Sequence, residues 1–311
     1  MVMKVLNFGS MNLDYVYQVD HFVQEGETLS ALSQTVKAGG KGLNQSIALA
    51  RAGAEVWHAG CVGQGGAMLR ELLRESGVHD DYLCSVDTLQ GNAMIQVNRT
   101  GENCILLFGG SNQCMTETQI DEALSHFSAG DWLVLQNEIN LVPLMIEKAS
   151  ARGMRIVLNP SPYNDRLAEA DFGKLSWIFV NEIEAEQLTG CKDPAAAWQM
   201  IHVRWPKLSL LITLGSAGCM AWLVTENGVL SAAQPAFPVK AVDTTAAGDT
   251  FTGYFITCLM EGMQLQESLR LAARASAFAV TRAGAAESIP TRGEVEQERD
   301  CIQGRESFCF G

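Results

Sequence analysis

Positive charge is scarce in this 311-residue chain. Lysine and arginine number 22 against 35 acidic residues, a net charge of −13. No basic cluster breaks that background, which argues against nucleic acid and anionic membrane as partners. An anionic substrate stays open, because a nest of backbone N–H groups or a bound cation can override net charge locally. Metal spacings are missing as well. The five histidines are scattered, with no H-x-x-H or H-E-x-x-H, and a zinc site is not expected. The nine cysteines form no C-x-x-C pair, and several sit in apolar runs such as CILLF and ITCLM. They read as reduced, buried thiols rather than a disulfide framework. No apolar run reaches about 18 residues. The opening MVMKVLNFGS leads straight into a strand pattern, without the basic and apolar regions of a signal peptide. A cytoplasmic location is expected. Internal repeats and low-complexity tracts are absent, and the tail CIQGRESFCFG carries no interpretable pattern.

Two nucleotide-binding patterns are also missing. G-x-x-x-x-G-K-[ST] does not occur. GCVGQGGAM, residues 60–68, misses G-x-G-x-x-G because Met68 takes the sixth position, and it does not follow the first strand.

What remains is a chain with 47% hydrophobic and 18% charged residues, fitting a compact globular protein. Its length allows one large α/β domain, or a main domain with a small appendage. Apolar strand-like runs alternate with helical patterns, which predicts βαβ units and a parallel sheet. Five runs end alike. KVLNFGSMNLD passes to Asn12 and Asp14, WLVLQNE to Glu138, and RIVLNPSP to Asn159. WIFVNEIEAEQLTG passes to Asn181 and Glu184, and LLITLGSAG to Thr213 and Gly215. Ligands of open parallel sheets bind outside the carboxyl ends of the strands. Residues 13–37 and 92–107 break the rhythm. They read as short strands with turns, the second a hairpin around RTGEN, and together predict a small sheet serving as a lid, a dimer contact or both.

Three motifs bear on chemistry. In AGGKGLNQSIALARAG, residues 38–53, glycines open a helix N-terminus and let Lys41 and Asn44 point at a ligand; a plain glycine-rich turn is the alternative. In NEIEAEQLTG, residues 181–190, Asn181 and Glu184 are oxygen ligands suited to Mg²⁺, directly or through water, or else an ordinary helix start. In DTTAAGDTF, residues 243–251, small residues bare the N–H groups of a helix whose buried face reads Phe251, Tyr254, Phe255, Cys258 and Leu259. An anion fits there. Asp249 is either a dipole-complementing acid or a base beside the anion. A cation ligand, an N–H nest, a carboxylate and hydroxyl-binding groups are the parts phosphoryl transfer needs.

With GGKGLNQSIALARAG and DTTAAGDTFTGYF in this order, and NEIEAEQLTG and ITLGSAG between them, the chain resembles the PfkB family of carbohydrate kinases, its ribokinase branch in particular, from about residue 4 to about residue 295. The resemblance implies a ribokinase-like α/β fold, a doubly wound, mostly parallel sheet flanked by helices with a small β-sheet lid. Residues 1–12, 38–91 and 108–311 would form the main domain, and 13–37 and 92–107 the lid, through which subunits would pair as a homodimer. It implies Asp249 as the base toward the sugar's primary hydroxyl, and the N–H groups of Ala246, Ala247 and Gly248 as the anion hole. Asn12, Asp14, Gly40, Lys41, Asn44 and Glu138 would hold the sugar, which points to D-ribose and ribose 5-phosphate. Asn181, Thr213, Gly215, Ser216, Gly218 and Gly248 would hold ATP, with Glu184 serving Mg²⁺ through water. Asp243, Thr245, Ala279, Arg282, Gly284 and Ser288 would hold K⁺, mostly through carbonyls.

Two departures stand out. Gln64, Gly65 and Gly66 replace the aspartates usual after CVG, in a segment one residue short and expected near the sugar and phosphate. AARASAFAV lacks an asparagine often found near adenine, which leaves nucleotide preference open. Other readings are a family kinase for another sugar or ribonucleoside, a sugar-binding protein without catalysis, and an NAD-dependent oxidoreductase.

Overall fold

The computed structural model describes residues 3–297. Strands are β1 (Lys4–Phe8), β2 (Asn12–Gln18), β3 (Ser33–Gly39), β4 (Glu55–Gln64), β5 (His79–Leu89), β6 (Asn92–Val97), β7 (Asn103–Phe108), β8 (Trp132–Gln136), β9 (Arg155–Asn159), β10 (Trp177–Asn181), β11 (Ser209–Thr213), β12 (Cys219–Thr225) and β13 (Gly228–Gln234). Helices are α1 (Lys41–Ala52), α2 (Ala67–Glu75), α3 (Glu117–Ser125), α4 (Val142–Ala151), α5 (Glu182–Thr189), α6 (Pro194–Arg204), α7 (Ala247–Met260), α8 (Leu265–Val280) and α9 (Arg292–Gln297).

Nine strands make one sheet in the order β13-β12-β11-β10-β9-β8-β1-β4-β5. All pairs from β11 to β5 are parallel, and β12 and β13 add an antiparallel edge. The five runs singled out for their polar ends, β1, β8, β9, β10 and β11, are consecutive neighbours. From β1 the chain winds to β4 and β5 on one side and to β8 on the other. That reversal opens a crevice at the carboxyl ends of β1 and β8.

Both faces of the sheet are buried, which explains apolar runs without alternation. Val5, Val134, Val157 and Phe179 pack with α1, α7 and α8 on one face. Leu6, Leu135, Leu158 and Val180 pack with α3, α4 and α6 on the other. Each fully buried large side chain, such as Phe8 or Phe255, contributes roughly 1.5–3 kcal/mol. The α7 helix departs from a one-sided amphipathic helix: every residue from Asp249 to Cys258 is buried. The reason is that α1 and α8 flank it while its aromatics face the sheet.

A second sheet, order β3-β2-β6-β7, stands over the crevice. The turn Asn98–Glu102 closes its hairpin, with Asn98 Oδ1 accepting from the N–H groups of Thr100 and Glu102. The cysteines correct one expectation. Of the seven described, Cys61, Cys219 and Cys258 are buried and Cys104 is exposed, because β7 in the small sheet has no helix over it. Cys301, Cys309 and the tail CIQGRESFCFG lie outside the described residues. No helix among the described residues is long and apolar enough to cross a membrane.

Candidate active site

The crevice holds three adjoining cavities. The first, about 580 Å³, is lined by Asn12, Asp14, Gly40, Lys41, Asn44, Glu138 and Asp249, with Val16, Ile95, Ile105 and Leu107 of the small sheet as its roof. The second, about 510 Å³, runs over Thr213, Gly215, Ser216 and Gly218 and is walled by apolar groups including Phe237, Val239, Ala277 and Val280. A channel of about 200 Å³ joins them past Asn159, Asn181 and Glu184. Asp249 borders the first cavity and the channel; Gly248 borders the channel and the second cavity.

The turn into α1 explains how the first cavity is built. Gly40 takes a φ of 97°, open to glycine, and a β-carbon on Gly42 would stand 2.3 Å from the Ser10 nitrogen. Backbone therefore lies on backbone, tied by Leu43 N–H donating to Ser10 O at 2.8 Å. This brings the α1 N-terminus to the end of β8. Glu138 Oε2 accepts from Lys41 N–H at 3.0 Å and from the Ser10 hydroxyl. Asn12 Oδ1 accepts from Asn112 at 2.7 Å, which turns its amide N–H₂ away from that neighbour as a fixed donor.

Charge is concentrated here. Burial pushes Asp14 up to about 7, with Glu138 adding to the rise and Lys37 opposing it. Burial also raises Glu138, against the pull of Lys41 and Ser10. Burial disfavours the Lys41 ammonium, yet Asp249, Glu138 and Glu184 together hold its pKa above the usual lysine value. Lys41 is thus a cation among three carboxylates, at the junction of cavity and channel.

Asp249 lies in the first turn of α7 but does not cap it. Its Oδ2 accepts from Asn44 Nδ2 at 3.0 Å and its Oδ1 from Gln45 Nε2 at 2.9 Å. It is 8% exposed, so both carboxylate oxygens are held while an edge faces the cavity. The helix start is strained: Ala246 has a φ of 60°, a left-handed conformation costing about 1–3 kcal/mol in a non-glycine residue. Ala247 N–H donates to Thr244 O at 3.3 Å. Ala246 and Gly248 N–H have no protein acceptor among the described residues, so two of the three expected anion-hole donors are uncommitted.

Asn181 and Glu184 form a capping box. Asn181 Oδ1 accepts from Glu184 N–H at 2.8 Å, and Glu184 Oε2 from Asn181 N–H at 3.1 Å. The helix-start reading therefore holds for both. Glu184 is nonetheless only 7% exposed and lines the channel. Asp243 ties two loops together, its Oδ1 accepting from Thr245 N–H and hydroxyl and its Oδ2 from Gly284 N–H at 3.0 Å. Burial opposes its ionisation, but those donors hold it below the usual carboxylate range. Ala279 and Ser288 are buried nearby in sequence, and the Arg282 guanidinium turns to Glu294 at 2.8 Å.

Gln64, Gly65 and Gly66 correct another expectation, since none of them lines the cavities or the channel. Gln64 turns to Asp87 at 2.7 Å, and Gly66 packs on Gln90 beside β5. Residues that the motif reading passed over are Ser10, Gln45, Asn112 and Gln136. Gln45 and Gln136 stand inside GGKGLNQ and WLVLQNE, which was the available signal.

The model for the pfkB family of carbohydrate kinases matches residues 3–292. Ribokinase of Haemophilus influenzae is 35% identical over 295 residues, covering 92% of this chain and 95% of that protein. A ribokinase of Cryptococcus neoformans var. grubii, solved in complex with ADP, superposes with a TM-score of 0.84 at 33% identity, over 95% of this chain and 99% of that one. Ribokinase of Arabidopsis thaliana, solved with ribose and ATP, gives 0.83 at 28% identity, over 96% and 98%. A family model spanning nearly the whole chain, on a crevice of this build, shows that the chain belongs to the PfkB family of carbohydrate kinases.

Proposed function

We propose that this chain transfers the γ-phosphoryl group of ATP to the primary hydroxyl of D-ribose, giving ribose 5-phosphate and ADP. The observation that carries it is the position of Asp249, shared by the cavity and the channel and held on both oxygens by Asn44 and Gln45. Asp249 accepts the hydroxyl proton as the oxygen bonds to the γ-phosphorus and the bond to the bridging oxygen breaks. The N–H groups at 246–248 and the Lys41 ammonium face the charge that spreads over the transferring oxygens. Asn12, Asp14, Lys41, Asn44 and Glu138, with the Gly40 backbone, hold the sugar hydroxyls; Thr213, Gly215, Ser216, Gly218 and Asn181 hold the nucleotide. Ribokinases solved with ribose and ATP or with ADP support the choice of substrates.

The buried, channel-facing carboxylate of Glu184 fits Mg²⁺, an oxygen-ligated ion that usually keeps its waters. Bound there with the phosphates, Mg²⁺ would neutralise their charge. Asp243, with carbonyls near Ala279, Arg282 and Gly284 and the Thr245 and Ser288 positions, suits a monovalent cation behind the N–H groups. We also propose a homodimer through the small sheet and a cytoplasmic location.

An assay of ADP release over a panel of sugars tests the reading. Turnover with D-ribose is expected. No turnover with ribose, alongside turnover with another sugar, would overturn the choice of substrate. One observation favours a second reading: the cavity is larger than a pentose fills and its roof is apolar, which suits the base of a ribonucleoside. Adenosine, inosine and cytidine belong in the panel for that reason.

A further inference from the structure

Behind Asp249, out of reach of both cavities, runs a chain of buried hydrogen bonds that crosses four elements. Gln45 Nε2 donates to Asp249 Oδ1 at 2.9 Å. Gln45 Oε1 accepts from Gln136 Nε2 at 2.7 Å, and the same nitrogen donates to Asn7 Oδ1 at 3.0 Å. Asn7 Nδ2 donates to the Ser46 hydroxyl at 2.7 Å and to the Gly42 carbonyl at 2.9 Å. Ser46 meets His58 Nδ1 at 2.8 Å. Asn7, Gln45, Ser46 and His58 have no exposed surface, and Gln136 is 1% exposed.

The direction of this chain is not arbitrary. A primary amide can present either its oxygen or its nitrogen, so each orientation must be set by a neighbour. The Gly42 carbonyl can only accept, so Asn7 must turn its nitrogen there and its oxygen to Gln136. Gln136 must answer with its nitrogen. That nitrogen also meets Gln45, which must offer its oxygen, leaving its own nitrogen for Asp249. A backbone carbonyl at one end thus fixes a donor at the other. With Asn44 Nδ2 donating to Oδ2, each carboxylate oxygen then has one amide donor, the one on Oδ1 fixed by the chain behind it.

We propose that Gln45 is a positioning residue for Asp249, and that Gln136 acts on Asp249 only by fixing the orientation of the Gln45 amide. Neither residue lines the cavities, so neither touches sugar or nucleotide. The inference rests on the reading of Asp249 as the base.

The test is a kinetic double-mutant cycle on full-length enzyme with ribose and ATP. The variants are Gln45→Met, Gln136→Met, the pair, and Asp249→Asn alongside, with thermal melting to correct for the folded fraction. Misplacing a reacting group by about 1 Å can cost on the order of 100-fold. Gln45→Met is expected to lower kcat about 10- to 100-fold, with both KM values within about twofold of wild type. Gln136→Met should lose less, and the pair no more than Gln45→Met alone, since Gln136 has nothing left to orient. Unchanged kcat per folded molecule in Gln45→Met, or losses that multiply in the pair, overturns the proposal. Should Gln45→Met not fold, Gln136→Met decides: a kcat equal to wild type overturns it. Near-normal turnover in Asp249→Asn would instead sink the base itself, so the two failures are told apart.

Discussion

Gly253 of α7 lies against Ala48 of α1 so closely that a β-carbon on Gly253 would stand 2.5 Å from the Ala48 β-carbon and 2.6 Å from the Leu49 nitrogen. The helices are in backbone contact there. One turn toward both N-termini, the same contact sets Asn44 and Gln45 on Asp249. Gly253→Ala is expected to push the helices apart, destabilise the protein by about 1–3 kcal/mol, and lower kcat more than either KM. Adding Ala48→Gly should restore part of both. Melting curves and steady-state kinetics check this; wild-type stability and kcat in Gly253→Ala would refute it.

Asp14 gives a pH dependence. Its pKa is raised by burial, and next by Glu138, from 3.8 to about 7. A folded value above the unfolded one means that protonated Asp14 favours the fold. That contribution is full below about pH 4 and is lost as pH rises through about 7. Sugar hydroxyls donate best to the ionised form. The KM for ribose, measured at saturating ATP, should therefore fall between pH 6 and 8, and Asp14→Asn should flatten the profile at a higher KM. A pH-independent KM in the wild type would contradict this role.

Potassium is the next test. Asp243 joins the loop at 243–246 to the loop at 282–288 through Thr245 and Gly284. A cation there would steady the N–H groups at the start of α7. Turnover is expected to rise when K⁺ replaces Na⁺ at equal ionic strength, and Asp243→Ala should abolish the difference. Equal turnover in K⁺, Na⁺ and neither would exclude the activation.

The outer face of the small sheet makes a prediction about assembly. Val36, Tyr15, Met94 and Leu106 stand in one row across four strands, and Phe108 shares their face. Leu106 is 68% exposed, and Val36, Met94 and Phe108 are exposed too. An open apolar sheet face of this kind calls for a partner. Sedimentation should give a dimer for the wild type and a monomer for Leu106→Asp with a raised ribose KM. A dimer that survives the substitution, with Phe108→Asp added, would place the interface elsewhere.

Much of the site was legible because phosphate and hydroxyl recognition needs short motifs at strand ends. Glu138, Asn181 and Thr213 were readable as such ends, and GGKG and TTAAGD as bared helix starts, whereas Asn12, read as the end of β1, opens β2 of the small sheet. Gln45 and Gln136 were not, although both stand inside quoted motifs. Their partners are 204 and 129 residues away for Asp249 and Asn7, a pairing that only the sheet order and the α1–α7 contact create. Gln64–Gly66 misled for the opposite reason. The family pattern after CVG said nothing of β5, where Gln64 pairs with Leu89.

The most direct measurement is ADP release from ATP and D-ribose by wild type and Asp249→Asn, with ribose binding followed in parallel by calorimetry. Ribose-dependent turnover is expected in the wild type and a loss of about 1,000-fold or more in the variant, with ribose still bound. Turnover by Asp249→Asn within about tenfold of wild type would contradict it.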